Sequence, residues 1–309
     1  MVVPATDQPA TLDRCLAAIH AADDPPEELV VVDAPSALSA AAARNAGAAR
    51  ADGDVVVFVD ADVVVHRDAF SRIRAAFDGR PGLTAVFGAY DDRPSARGRV
   101  SAFRNLLHHH VHLGGAGPAE TFWTGLGAVR RDAFLEVGGF DEARFPHPSV
   151  EDIELGGRLR QRGGTIVLDP AIQGTHLKRW TLRSMIHTDF ARRGVPWVAL
   201  QVRNRRLSGA LNLGWRHRCS ALAVLATLLA LVLRSPVVAL GSVGAFVALN
   251  HAFYRLLVRR RGPLDALLGV ALHGVHHLVA VAAVPAGIAA ALVELSRARR
   301  TLASEASTV

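Results

Sequence analysis

Residues Val55 to Val65 read VVVFVDADVVV, an apolar run interrupted only at Asp60-Ala61-Asp62. A short apolar run of this kind predicts a buried strand, here ending in two carboxylates one residue apart. Upstream, Val2-Val3 predicts a clipped first strand. Thr11 to His20 predicts an amphipathic helix with Leu12, Cys15, Leu16 and Ile19 on one face, Glu28 to Asp33 a second strand ending in an acid, and Ser39 to Ala49 an alanine-rich helix. Downstream, Ile153 to Arg162 predicts a helix and Thr165 to Leu168 a strand. Alternating strand and helix signals imply an α/β fold, a mostly parallel sheet flanked by helices. Ligands of such sheets bind beyond the carboxyl ends of the strands, where Asp33, Asp60 and Asp62 all fall.

The pattern then changes. Three apolar stretches, Cys219 to Leu233, Val237 to Leu257 and Leu264 to Val293, are separated by Arg234-Ser235-Pro236 and by Arg259-Arg260-Arg261-Gly262-Pro263. A hydrocarbon core of about 30 Å takes roughly 20 helical residues to cross, so the second and third are long enough. The first is short: it spans with Trp215 to Arg218 at the interface, or it is a re-entrant or interfacial helix. Buried core helices are the alternative, but a soluble domain seldom needs nearly uncharged runs in succession. The expected organisation is a folded domain over residues 1–213, a membrane region of two to three helices over 214–296, and a polar tail over 297–309.

Charge follows the same division. The 309 residues include 35 Lys and Arg and 28 Asp and Glu, a net of +7. From Arg203 onward thirteen basic residues face three acidic ones, so the preceding part carries 22 against 25, or −3. A nucleic-acid binder would show its basic patch on the folded part, so that partner is excluded. Arg216, Arg218 and Arg259 to Arg261 favour the cytoplasmic side and make the first two segments a hairpin. The side reached by Arg297, Arg299 and Arg300 stays open between one crossing and a return at Pro285. Met1 leads directly into Val2-Val3-Pro4 without a signal-peptide pattern, so the folded domain is expected in the cytosol at a multi-pass membrane. Cys15 and Cys219 offer no disulfide framework.

On a strand, residues i and i+2 face one side, so Asp60 and Asp62 are expected to converge. Beside so much apolar sequence they require a cation or hydrogen-bond donors. Mg²⁺ or Mn²⁺ takes such oxygen ligands, typically with the phosphates of a substrate, which points to a nucleotide diphosphate. The competing reading is a solvated strand end with two turn residues. Glu151, Asp152 and Glu154 place negative charge in the first turn of a helix, which the helix dipole favours. His176 is either structural or a ligand for Mn²⁺, with Lys178 and Arg179 as phosphate contacts. His108-His109-His110-Val111-His112 precedes the glycine-rich stretch 114–118 and reads as acceptor-cleft or membrane-facing polar residues rather than a metal site. His273, His276 and His277 share one helical face, turned to other helices or to a headgroup.

Six motifs in order carry a family resemblance. They are Val2-Val3-Pro4, Val30 to Asp33, Ala42-Ala43-Arg44-Asn45-Ala46-Gly47, Asp60-Ala61-Asp62, the stretch from Thr124-Gly125 to Gly138-Gly139-Phe140-Asp141-Glu142, and Val150-Glu151-Asp152. Over roughly residues 1–200 the chain resembles the inverting glycosyltransferases of family 2, with the GT-A fold. The resemblance implies that Pro4, Asp33, Arg44, Asn45 and Asp60 line the nucleotide-sugar site, that Asp62 with Asp60 and His176 holds a divalent cation, and that Asp152 is the general base. It places Trp123, Gly125 and Glu151 on the acceptor side. Two features depart from the pattern: Ala34-Pro35-Ser36 replaces an acid-rich turn, and Gln201-Val202-Arg203-Asn204-Arg205 lacks the Trp of the QxxRW motif of processive synthases. The expectation is therefore transfer of a single sugar from a nucleotide-diphosphate sugar to a lipid or lipid-linked acceptor at the membrane. The alternatives are a polysaccharide synthase and a catalytically silent scaffold.

Overall fold

A computed structural model describes residues 1–36, 38–205, 211 and 214–306, with side chains described as far as Arg297. The chain divides into two compact units, Met1–Trp180 with Arg259–Arg261, and Thr181–Val258 with the residues from Gly262 onward. The expected boundary at 213 falls on a residue outside that description, as does the end of the polar tail.

The first unit is built on eight strands: β1 (Val2–Pro4), β2 (Val30–Val32), β3 (Val55–Val59), β4 (Val63–Val65), β5 (Leu83–Tyr90), β6 (Gly117–Pro118), β7 (Leu126–Arg130) and β8 (Thr165–His176). They pair in the order β2-β1-β3-β7-β5-β8-β4, with β6 against β8. β1, β2, β3, β5 and β8 run one way and β4, β6 and β7 the other. The flanking helices are α1 (Leu12–His20), α2 (Ala40–Arg50), α3 (Ala69–Asp78), α4 (Arg99–Gly114), α5 (Arg131–Glu136) and α6 (Glu151–Gln161). Ser39 caps α2 by accepting from the Ala42 amide at 3.1 Å, satisfying one of the orphan donors of a helix start. The apolar faces of α1 and α3 bury Cys15, Ile19, Phe70, Ile73 and Phe77 against Val59, Val63 and Val86 of the sheet.

The run Val55 to Val65 folds as two strands, not one. Asp60-Ala61-Asp62 forms the turn between β3 and β4, closed by the Val63 amide donating to the Asp60 carbonyl at 2.9 Å. The i, i+2 alternation therefore does not govern the two acids, which leave the turn in different directions.

The second unit is helical: α7 (Leu182–His187), a π-helical segment Thr188–Gly194, α8 (Val195–Asn204), α9 (Trp215–Val232), α10 (Pro236–Leu249), the greater part of α11 (His251–Arg261) and α12 (Pro263–Ala306). Two helices among the described residues are long and apolar enough to cross a membrane, α9 and residues Pro263–Arg297 of α12. A third span is possible only if α10 and α11, bent by 73°, count as one. The expectations for the first two stretches thus exchange places. α9 gains a turn by starting at Trp215, and the long second stretch breaks at Asn250. That side chain donates to the Phe246 carbonyl at 2.9 Å and to the Ser220 hydroxyl at 2.8 Å, occupying a carbonyl that helix continuation would need. α12 passes through Pro285 as one helix. His273, His276 and His277 turn inward. His276 donates from Nδ1 to Asp189 at 2.8 Å, and the His277 ring lies 4.3 Å from that of His217.

Candidate active site

The strand directions gather one edge. The carboxyl ends of β1, β2, β3, β5 and β8 bring Pro4, Asp33, Asp60, Tyr90 and His176 to it, and the amino end of the oppositely directed β7 adds Trp123 and Gly125. Asp33 is exposed and Pro4 half-buried. Asp60 donates its amide to the Gly125 carbonyl at 3.2 Å, and a β-carbon on Gly125 would sit 2.2 Å from the Trp123 ring. Only glycine there lets the half-buried indole lie against β7.

Arg44 determines where Asp60 points. Its guanidinium, 4% exposed on α2, donates to Asp60 at 2.7 Å and to Glu151 at 3.0 Å, and its Cζ lies 5.7 Å from the centre of the Phe140 ring. Burial works against this charge, but Asp60 and Glu151 outweigh it and raise the Arg44 pKa above the ordinary arginine value. Arg44 and Asp60 are thus paired with each other, while Asp62 meets His176. The physical reason is the turn: it directs Asp60 toward α2 and Asp62 toward β8.

Asp62 meets His176. Their Oδ2 and Nε2 atoms lie 3.3 Å apart, with the carboxylate 27% exposed and the imidazole 7%. The His176 ring is fixed twice, by Nδ1 donating to the Asn105 amide oxygen at 2.7 Å and by stacking on Tyr90 with centroids 4.1 Å apart and planes 7° apart. With Nδ1 donating to Asn105, Nε2 is the nitrogen turned to the carboxylate, and a proton or a cation between them joins the two groups. Burial pushes the Asp62 carboxyl up, but the hydrogen bond and charge of His176, together with Lys178, hold it below the usual carboxylate range. Among the described residues no three His, Cys, Asp or Glu side chains are arranged to hold a metal ion. Of the expected trio, Asp62 and His176 come together and Asp60 lies against Arg44. One carboxylate and one imidazole fit a Mg²⁺ or Mn²⁺ ion that completes its shell with diphosphate oxygens.

The head of α6 supplies the remaining acids. Glu151 accepts from Arg44 and from the Ser149 amide at 2.7 Å, and Glu154 is chelated by Arg158 at 2.7 to 3.0 Å. Asp152, half-buried between them, accepts from the Ile153 amide at 2.8 Å, and its charge reaches Arg44. Asn45, expected at the nucleotide, is committed to a loop. Its amide nitrogen donates to the Phe140 carbonyl at 2.9 Å and to Glu142 at 2.6 Å, while its oxygen accepts from the Phe140 amide at 2.8 Å. Gly139, at φ +65°, leaves room for that amide, since a β-carbon there would lie 2.5 Å from the Asn45 oxygen.

The histidine run forms the last turns of α4, directly ahead of the glycine-rich stretch. His109 donates from Nδ1 to the Tyr90 carbonyl at 2.7 Å, and His112 to that of Gly88 at 3.0 Å. The register of β5 against β8 slips between Phe87 and Ala89, so His112 answers a carbonyl beside the slip. His108 packs on Tyr90 and Trp123, with centroids 4.5 and 5.1 Å away. Lys178 and Arg179 are exposed, and Lys178 sits 4.7 Å from the Trp180 ring. Asn105 and Tyr90 were not anticipated; the one available signal for Asn105 is a buried polar residue four positions before His109. Cys15, its thiol pushed up to about 12 by burial and by Asp60 and Asp62, is a packing residue.

Comparison with known proteins agrees with this geometry. Residues 34–138 match the description of glycosyl transferase family 2. Over that stretch the chain is similar to glycosyl transferase family 2. The pre-mycofactocin glycosyltransferases of two Mycobacterium tuberculosis strains, CDC 1551 / Oshkosh and ATCC 25618 / H37Rv, are each 31% identical over 170 residues. The alignment covers 52% of this chain and 34% of theirs, so the chain matches about a third of the length of these relatives. A mannosyltransferase from Pyrobaculum calidifontis, solved in complex with GDP-Man and Mn²⁺, superposes with a TM-score of 0.54 at 15% identity. That superposition covers 93% of this chain and 86% of the other, and shows a shared GT-A fold. The family 2 match ends before α6 and His176, so both lie outside it.

Proposed function

We propose that the chain is an inverting glycosyltransferase moving a single sugar from a nucleotide-diphosphate donor to a hydroxyl of a lipid or lipid-linked acceptor. Its family 2 domain works on the cytoplasmic side of a cell membrane. The supporting observation is the sorting of carboxylates at one sheet edge. Asp60 and Glu151 pair with Arg44 and Glu154 with Arg158, Asp62 faces an imidazole, and the half-buried Asp152 stands at the head of α6, accepting from the Ile153 amide.

In this reading Asp33 meets the nucleobase and Asp62 with His176 holds a divalent cation, with Lys178 and Arg179 near the phosphates. Bound there, the cation neutralises charge on the diphosphate leaving group. Asp152 accepts the proton of the acceptor hydroxyl, so that its oxygen attacks the anomeric carbon opposite the departing diphosphate. Trp123 and Gly125 flank the acceptor side. A lipid-borne acceptor accounts for the exposed leucines and valines of α9, α10 and α12, such as Leu222, Leu229, Leu240 and Leu267, which a water-soluble unit would bury. The absent Trp after Gln201 supports single transfer over polymer synthesis.

Membranes bearing the full chain, incubated with UDP- and GDP-sugars and Mn²⁺, should release nucleoside diphosphate. Asp62→Ala and Asp152→Asn should each abolish the release. Turnover that survives both substitutions would rule the assignment out, and long polymer would rule out single transfer.

A further inference from the structure

Arg44 sits where the two working halves of the site meet, yet it is enclosed rather than presented to a ligand. It ties the first acid of Asp60-Ala61-Asp62 to the first acid of Glu151-Asp152, and the working acid of the proposed function is in each case a near neighbour, Asp62 or Asp152. The Asp60 backbone is held by Gly125 and Val63, and the Glu151 carboxylate also receives the Ser149 amide that leads into α6. The guanidinium plane therefore connects the β3–β4 turn to the head of α6 through two carboxylates, with Phe140 beside it and Asn45, the next residue on α2, holding the Phe140 loop.

We propose that Arg44 is a positioning residue. By binding Asp60 and Glu151 at once it sets the placement of Asp62 relative to Asp152, and it does not touch the nucleotide. This rests on the function proposed above. The geometry requires arginine: two N–H groups of one rigid plane reach two carboxylates, whereas a lysine ammonium is a point donor that keeps the charge without the fork. Displacing a reacting group by about 1 Å can cost roughly 100-fold in rate, so a loosened bridge reads out in turnover before binding.

The test uses the full chain in detergent, as wild type, Arg44→Lys, Glu151→Gln and the double variant. Each single variant is expected to lower kcat for donor hydrolysis about 10- to 100-fold. Affinity for GDP or UDP with Mn²⁺, read by thermal shift, should stay within about 3-fold, and the double variant should be no worse than the weaker single one, because both cut one bridge. Hydrogen exchange gives a readout without turnover. Peptides spanning 58–64 and 147–156 should both exchange faster in each single variant, with β5 and β7 unchanged. Loss of nucleotide affinity with kcat kept would make Arg44 a direct ligand and overturn the proposal, as would additive losses or faster exchange in one peptide only. A wild type inactive on every donor would defeat the functional reading, while the exchange result would still decide the bridge.

Discussion

The Asp60 side and the Asp62 side of the site begin one residue apart and end in opposite states. On the Asp60 side a buried guanidinium answers two carboxylates through two of its nitrogens. On the Asp62 side a carboxylate meets an imidazole whose other nitrogen is already bound by Asn105, so that Nε2 and Oδ2 face each other across 3.3 Å. An ion pair gives rigidity, while a carboxylate facing an imidazole has room for a proton or a cation between them. The motif D-x-D thus splits between two partners, Arg44 for Asp60 and His176 for Asp62.

That contrast can be broken from either side. The largest effect is expected at Asp152, whose charge reaches the same Arg44 guanidinium. Asp152→Asn should cut turnover by about 10²- to 10⁴-fold, the usual contribution of a general base, with nucleotide binding kept. Comparable losses of turnover and binding would instead make it a donor contact. Arg44→Met should cost about 3 kcal/mol of stability, because it strands the buried Glu151 carboxylate and the part-exposed Asp60. A denaturation midpoint close to wild type in detergent would show that Asp60 is not locked. Asn105→Ala should weaken Mn²⁺ binding about 10- to 100-fold by releasing the His176 ring, since second partners of metal-binding histidines contribute on that scale. Calorimetric titration of Mn²⁺ in the presence of GDP or UDP reads this directly, and unchanged affinity would remove His176 from the cation site.

The smallest effect concerns Asp91, a neighbouring acid that is locked but binds nothing in the proposed reaction. Burial raises its pKa, but bonds from His66 at 3.0 Å, from Thr175 and from the Arg93 amide at 2.9 Å hold it below the usual carboxylate range. A depressed folded-state pKa means that the unfolded chain binds more protons at low pH. The stabilisation is therefore full above the unfolded value of about 3.9 and disappears as pH falls through the folded one. Asp91→Asn should cost about 1.5 kcal/mol near neutrality, and the gap to wild type should close as pH drops below about 4. A gap independent of pH would mean that the Asp91 charge contributes nothing.

Several elements were legible from local pattern. The strand ending at Val32, the helix from Leu12 with Cys15 and Ile19 inward, and the acidic first turn of α6 follow from periodicity and helix electrostatics, which act over a few residues. The histidine run was not legible in this way, because what fixes His109 and His112 is a pair of carbonyls on β5 near a register slip that has no local signature. The break at Asn250 was hidden for a similar reason: its partner Ser220 lies 30 positions away.

The sequence by itself determined the alternation of strands and helices, the apolar helices of the C-terminal region, the concentration of positive charge there, and the list of acids able to serve a nucleotide-sugar site. Hydrophobic period, charge and helix-end chemistry are local properties, readable without a fold. Only the tertiary structure decided which partner each acid meets. Asp60 and Asp62 are indistinguishable in sequence. Arg44 arrives from α2, Glu151 from α6, His176 from β8 and Asn105 from α4, and the strength of a buried charge depends on which of these partners stands within about 3 Å of it.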